Sequence, residues 1–160
     1  MSSTFNFLSN IKKLFFFLFI ILSSLVGYSQ SSMLPQWAMG DFIRPNNAKP
    51  VITPNPASKF HCPMKNEDVR WEESDTFNPA AVVKNGKIYV LYRAEDNSAT
   101  GIGKRTSRIG LAKSTDGVHV KRRKTPVLFP DNDNMKEYDW PGGCEDPRIA
   151  VTEDGTYVMA

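Results

Sequence analysis

An all-β chain built of repeated hairpins is what this sequence predicts, and three observations predict it. Asn85-Gly86 and Asp116-Gly117 each separate runs of strand length, and Asn-Gly between apolar runs is the strongest short-range hairpin signal. The stretch Phe77-Asn78-Pro79-Ala80-Ala81-Val82-Val83 leads through a turn at Lys84-Asn85-Gly86 into Lys87-Ile88-Tyr89-Val90. That pattern recurs 68 residues later as Glu145-Asp146-Pro147-Arg148-Ile149-Ala150-Val151, a turn at Glu153-Asp154-Gly155, and Thr156-Tyr157-Val158. With one residue of slack at the glycine, Asn78 matches Asp146, Pro79 matches Pro147 and Tyr89 matches Tyr157. A repeated hairpin unit of this period points to propeller blades, with Asn78 and Asp146 opening equivalent strands near one shared axis.

In chain order, residues 1–13 are polar and carry Lys12 and Lys13, and residues 14–26 form the apolar run LFFFLFIILSSLV. Thirteen residues fall short of the roughly 20 that span a bilayer as a helix, and they suit a signal-peptide core. Gly27 and Ser29 are small residues where a signal peptidase would cut, so residues 1–29 are read as a leader and the protein as exported, periplasmic or extracellular. An uncleaved leader, the alternative, would tether it to a membrane. Residues 30–74 are rich in Pro, Asn and Ser with irregularly spaced aromatics (Trp37, Phe42, Phe60, Trp71), which suits an extended arm anchored across a domain. Strands are expected to begin after it, at residues 80–83, 87–94, 108–113 and 118–124, giving one four-stranded antiparallel unit with residues 95–107 as its long inner loop. Residues 149–152 and 156–160 would start the next unit, so residues 75–160 are read as the first part of a propeller domain several hundred residues long.

The whole chain has 20 Lys and Arg against 17 Asp and Glu; without Lys12 and Lys13 the balance is 18 against 17, a net charge of +1. A nearly neutral domain has no electrostatic footprint for nucleic acid, and Lys121-Arg122-Arg123-Lys124 reads as a solvated strand. Cys62 and Cys144 could pair in an oxidising compartment, but two free thiols are expected. With His61 and His119 as the only histidines a zinc site has little support. Asp131-Asn132-Asp133 opens like a calcium loop, yet Lys136 stands where its glycine belongs and Gly142 where its glutamate belongs.

The densest chemistry lies in Trp140-Pro141-Gly142-Gly143-Cys144-Glu145-Asp146-Pro147-Arg148, two carboxylates and a guanidinium held between a glycine pair and an apolar strand. One reading is a salt-bridged loop in which Arg148 neutralises Glu145 or Asp146. The other is a site residue presented on a rigid edge, and the second copy of the pattern at Asn78 favours it.

Phe77-Asn78-Pro79-Ala80-Ala81, Tyr92-Arg93-Ala94-Glu95-Asp96, Ser107-Arg108-Ile109-Gly110-Leu111-Ala112, residues 114–117 and Gly142-Gly143-Cys144-Glu145-Asp146-Pro147-Arg148 together resemble, in order and spacing, glycoside hydrolase family 130. The resemblance implies a five-bladed β-propeller that cleaves β-mannosides with inversion. It implies Asp146 as general acid, Asn78 and Arg93 on the mannose before the broken bond, Arg108 and Glu145 near the acceptor sugar, and a proton passed through a hydroxyl of the bound mannose. No cofactor is implied, only inorganic phosphate as co-substrate if the enzyme is a phosphorylase, with a mannose-containing oligosaccharide as partner.

A glycosidic oxygen leaves only when protonated, so the acid must hold its proton at working pH, which requires burial or a neighbouring negative charge. Glu145 could supply that charge, and Arg148 would oppose it by pairing with Asp146. Phosphate as nucleophile needs only cations to hold it, whereas water needs a second carboxylate roughly 6.5–9.5 Å away. The leading expectation is a β-mannoside phosphorylase, with an inverting β-mannosidase next and a non-catalytic glycan-binding propeller as the rival from another class.

Overall fold

The computed structural model describes residues 46–101 and 104–160 together with Ala38, Gly40, Ile43 and Arg44. The leader read over residues 1–29 and the aromatics Trp37 and Phe42 lie outside the described residues. Contacts divide the chain into Met1–Asn46 and Asn47–Ala160, and every element below belongs to the second unit.

Among the described residues, three antiparallel sheets carry the fold. β1 (Phe60–Cys62) pairs with β2 (Glu67–Val69). β3 (Asp75–Lys84), β4 (Lys87–Glu95), β5 (Ser107–Ser114) and β6 (Lys121–Arg122) form a four-stranded sheet in sequence order. A four-residue helix, α1 (Lys136–Asp139), precedes the hairpin of β7 (Ile149–Val151) and β8 (Tyr157–Met159). Asn85 and Gly86 both take positive φ at the β3–β4 turn, as a tight hairpin with right-handed strand twist requires.

Two expectations need correction. Strands begin before Ser74, because residues assigned to an extended arm form the β1–β2 hairpin. Its signal is weak: three-residue strands around Lys65-Asn66 show no alternation long enough to read. The last strand of the four is also shorter than residues 118–124. The Asp116 carboxylate accepts the backbone N–H groups of Val118 and His119, at 2.9 and 2.8 Å, and so removes them from the ladder. Beyond β6 the chain still follows β5 through single bonds from Arg123 N to Leu111 O (2.8 Å) and from Val127 N to Ile109 O (2.8 Å).

Side chains alternate across a strand, so β4 and β5 present two different faces. One carries Val90, Tyr92 and Ala94 with their partners Ala112, Gly110 and Arg108. Cys62, Val69 and Trp71 cover it and complete the core cluster, the Trp71 ring standing 6.4 Å from that of Tyr92. The Trp71 indole N–H donates to Lys124 O at 3.2 Å, and Glu72, 1% exposed, accepts from Tyr92 Oη (2.8 Å), Arg122 Nη1 (3.1 Å) and Ser58 Oγ. Burial, and then the Glu72 charge, push the Tyr92 phenol above its ordinary pKa, so it stays a hydrogen-bond donor. Gly110 makes room for that ring, since a β-carbon there would stand 2.6 Å from Tyr92 Cε2. The opposite face carries Arg93 and Glu95 with Ser107, and it holds the candidate site.

Candidate active site

Asn78 sits where the β3–β4 register shifts between Phe77 and Ala80, a bulge that re-aims its side chain. Asp146 occupies the matching place ahead of β7, and both residues adopt φ of 45° directly before a proline. Apart from glycine, Asn and Asp tolerate that left-handed conformation best, which accounts for the residue types at both positions. The outcome is contact across the repeat: Asn78 Nδ2 donates to Asp146 Oδ1 at 2.8 Å. The two positions matched from sequence thus meet, although Asn78 lies at a bulge inside β3 rather than opening the strand, whereas Asp146 precedes β7.

Arg93 on β4 gathers the carboxylates. Its Nε donates to Ser107 Oγ at 3.0 Å, and Nη1 to Glu145 Oε2 (2.9 Å) and Asp146 Oδ1 (3.1 Å). Nη2 donates to Glu145 Oε1 (2.7 Å) and Glu95 Oε1 (2.8 Å). A guanidinium has five N–H donors, and these five bonds use them all. The side chain is 6% exposed, with its carbon Cζ 4.8 Å from the Phe77 ring centroid. Arg93 therefore binds Glu145 through both oxygens, the strongest geometry an arginine–carboxylate pair can adopt.

The loop carrying Glu145 and Asp146 is pinned to β5 by backbone contacts. Ser107 N donates to Gly142 O at 2.8 Å and Cys144 N donates to Ser107 O at 3.0 Å. Gly143, at φ of 99°, lies so close that a β-carbon there would stand 2.7 Å from the Ser107 carbonyl carbon and nearer still to its N and O. Gly143→Ala is therefore expected to destabilise the intact protein by about 1–3 kcal/mol through backbone strain alone. Urea unfolding of the variant checks this, and an unchanged midpoint would show that the loop shifts freely. Cys62 and Cys144 are both free and buried. Burial, and then the charge of Asp139, push the Cys144 thiol up to about 12, so it stays protonated and unreactive at neutral pH.

Three expectations about the site's electrostatics change. The Asp146 carboxyl is held below its ordinary pKa, by the Asn78 amide first and then by the Arg93 hydrogen bond, rather than raised. Glu145 does not lift it because Arg93 takes up the Glu145 charge. Arg148 neutralises neither carboxylate through a hydrogen bond: its Nη1 donates to the backbone carbonyls of Pro147 (3.1 Å) and Asp146 (3.5 Å).

The sequence-predicted residues divide between the two faces. Asn78, Arg93, Glu145 and Asp146 converge on one edge. Arg108, expected near an acceptor sugar, stands opposite Ala94 on the other face and is fully buried. There Nη1 pairs with Asp96 at 2.9 Å, Nη2 donates to Cys62 Sγ at 3.6 Å, and Cζ lies 5.8 Å from the Phe60 ring centroid. Its position two strands from Asp146 in sequence gave no hint of the face, which the period-two alternation from Ala94 decides. Sequence reasoning also missed Glu95 and Ser107, both fully buried beside Arg93. Their signal was present, since Arg93-x-Glu95 on one strand places both side chains on the same face.

A family model described as beta-1,4-mannooligosaccharide phosphorylase, from glycoside hydrolase family 130, matches residues 43–160. A 1,2-beta-oligomannan phosphorylase from Thermoanaerobacter sp. (strain X514) is 38% identical over 112 residues, covering 69% of this chain and 32% of its own. Among solved structures, one was described with the statement that the GH130 family of mannoside phosphorylases contains glycoside hydrolases that target beta-1,2 mannosidic linkages in Candida mannan. It is 63% identical at a TM-score of 0.74, over 79% of this chain and 35% of that one. A glycosyl hydrolase from Bacteroides ovatus is similar to the same degree, 63% identical with a TM-score of 0.74 over 79% of this chain and 35% of its own. The chain spans about a third of the length of these relatives.

Proposed function

Because the chain belongs to glycoside hydrolase family 130, we propose that the intact protein cleaves β-mannosidic bonds with inversion, transferring mannose to phosphate and releasing mannose 1-phosphate. The observation that carries this reading is the junction of Asp146 with Asn78 and Arg93, two side chains 68 and 53 residues away meeting one carboxylate oxygen. In this proposal the four-stranded sheet is the first blade of a five-bladed propeller, and β7 and β8 begin the second. Export through the leader is part of the same proposal.

Asp146 acts as general acid. Its side chain is 42% exposed in the free site, where Asn78 and Arg93 favour the carboxylate. A mannose seated on this edge displaces water from that exposed surface, and desolvation raises the pKa toward the range an acid needs. The same sugar competes for the Asn78 amide and the Arg93 N–H groups, withdrawing the two hydrogen bonds that depress it. Substrate binding and proton retention are then one event. Passage of the proton through a mannose hydroxyl fits an acid held by its neighbours on the sugar side.

A second reading, transfer to water, is favoured by identity: the solved structure described with hydrolases of β-1,2 mannosidic linkages is 63% identical, against 38% for the named phosphorylase. Both readings share the acid and differ in what stands across the sugar. The test incubates the intact protein with β-1,2-linked mannobiose, with and without inorganic phosphate. Phosphate-dependent mannose 1-phosphate is the expected result, phosphate-independent mannose supports the second reading, and binding without either product overturns both in favour of a glycan-binding propeller.

A further inference from the structure

We propose that Glu95 is a positioning residue that limits the hold of Arg93 on Asp146 and so keeps a proton available to that carboxyl. The inference rests on the reading of Asp146 as general acid.

The Glu95 side chain is fully buried, accepts from Arg93 Nη2 at 2.8 Å and from Ser107 Oγ at 3.4 Å, and has Arg105 Nη1 3.6 Å from its second oxygen. Arg105 also pairs with Asp75, the residue opposite Glu95 on β3. Charge therefore alternates from the far end of the strand to the site edge: Asp75, Arg105, Glu95, Arg93, then Glu145 and Asp146. A buried carboxylate is a costly way to steady a guanidinium, since a neutral amide could accept the same hydrogen bond. What only the carboxylate adds is charge. With Glu95 ionised, the single positive charge of Arg93 is shared among three carboxylates, and its stabilisation of the Asp146 carboxylate is diluted.

Among the described residues, the charged and polar groups facing Glu95 include Arg93 on its own strand, Ser107 on β5, Arg105 in the preceding loop and Asp75 on β3; those facing Asp146 include Asn78, Arg93 and Arg148, with Glu145 beside it in the chain. Removing the negative charge of Glu95 lowers the pKa of Asp146. A general acid loses activity as pH rises through its pKa, so the alkaline limb of the pH–rate profile moves to lower pH.

The experiment uses the intact protein and β-1,2-linked mannobiose. Glu95→Gln is expected to lower kcat about 10- to 100-fold at neutral pH, to change KM less, and to shift the alkaline limb downward. The Asp146 carboxyl, followed by carbon-13 NMR titration, shifts the same way. Glu95→Asp, which keeps the charge, returns the limb toward its original position, a rescue that a purely structural role would not produce. If Glu95→Gln fails to fold, Arg105→Gln removes a cation instead and is expected to move the limb and the Asp146 titration upward. An unmoved limb and titration in the folded variants overturn the proposal. A wild-type protein that releases no product defeats the general-acid reading itself, while the titration still decides whether Glu95 acts on that carboxyl.

Discussion

Asp146→Asn in the intact protein is expected to lower turnover of an unactivated β-mannoside by about 10² to 10⁴-fold, the range for lost general acid catalysis. Asparagine keeps the size of the side chain and an oxygen to accept from Asn78 and Arg93, which bond Asp146 Oδ1 at 2.8 and 3.1 Å. It removes the transferable proton. Binding should therefore change little while kcat collapses, the pattern of an interaction needed only in the transition state. Substrates with good leaving groups need little protonation and should recover part of the loss. Near-normal turnover of the variant on an unactivated mannoside would place the acid elsewhere and leave Asp146 as a structural partner of Asn78.

Arg93→Ala is expected to damage stability as well as rate. Its side chain is 6% exposed and serves Glu95, Glu145 and Asp146 together, so its loss takes the closest cation from the fully buried Glu95 carboxylate, which Arg105 and the Ser107 hydroxyl also approach. Removing one partner of a buried charge network costs about 3–5 kcal/mol. Denaturant unfolding reads this directly, and the kinetic counterpart is weaker binding together with slower turnover that activated leaving groups do not restore. The penalty depends on pH through Asp146. Its pKa is depressed in the folded protein, by Asn78 first and by Arg93 second, so the stability it contributes is present above the unfolded value of about 3.9 and is lost as pH falls through the folded one. Arg93→Ala returns part of that depression, so the gap between wild type and variant narrows in acid. A variant as stable as wild type at neutral pH would show that the carboxylates find other partners.

How far the chain could be read differs from element to element. The β3–β4 hairpin was legible because Asn85-Gly86 lies between two long runs, and β7–β8 because it repeats that unit. The β1–β2 hairpin was not, since strands of three residues carry no period and their partner surface, Tyr92 and Ala94, is remote in sequence. At the site, Asn78 and Asp146 were matched by repetition alone, and the hydrogen bond between them realises that match.

Sequence by itself determined which residues carry charge, which of them stand directly before a proline, and which of the longer strands are adjacent, because these depend on local chemistry and on period. Tertiary structure alone decided the partners. Arg148 is two residues from Asp146 yet bonds backbone carbonyls, while Arg93, 53 residues away, takes the carboxylate. Arg108, one residue from Ser107, faces the opposite way and pairs with Asp96. An exposed arginine is satisfied by water or a nearby carbonyl, whereas a buried one must find a carboxylate within reach, and only the packing of the strands determines which carboxylate that is.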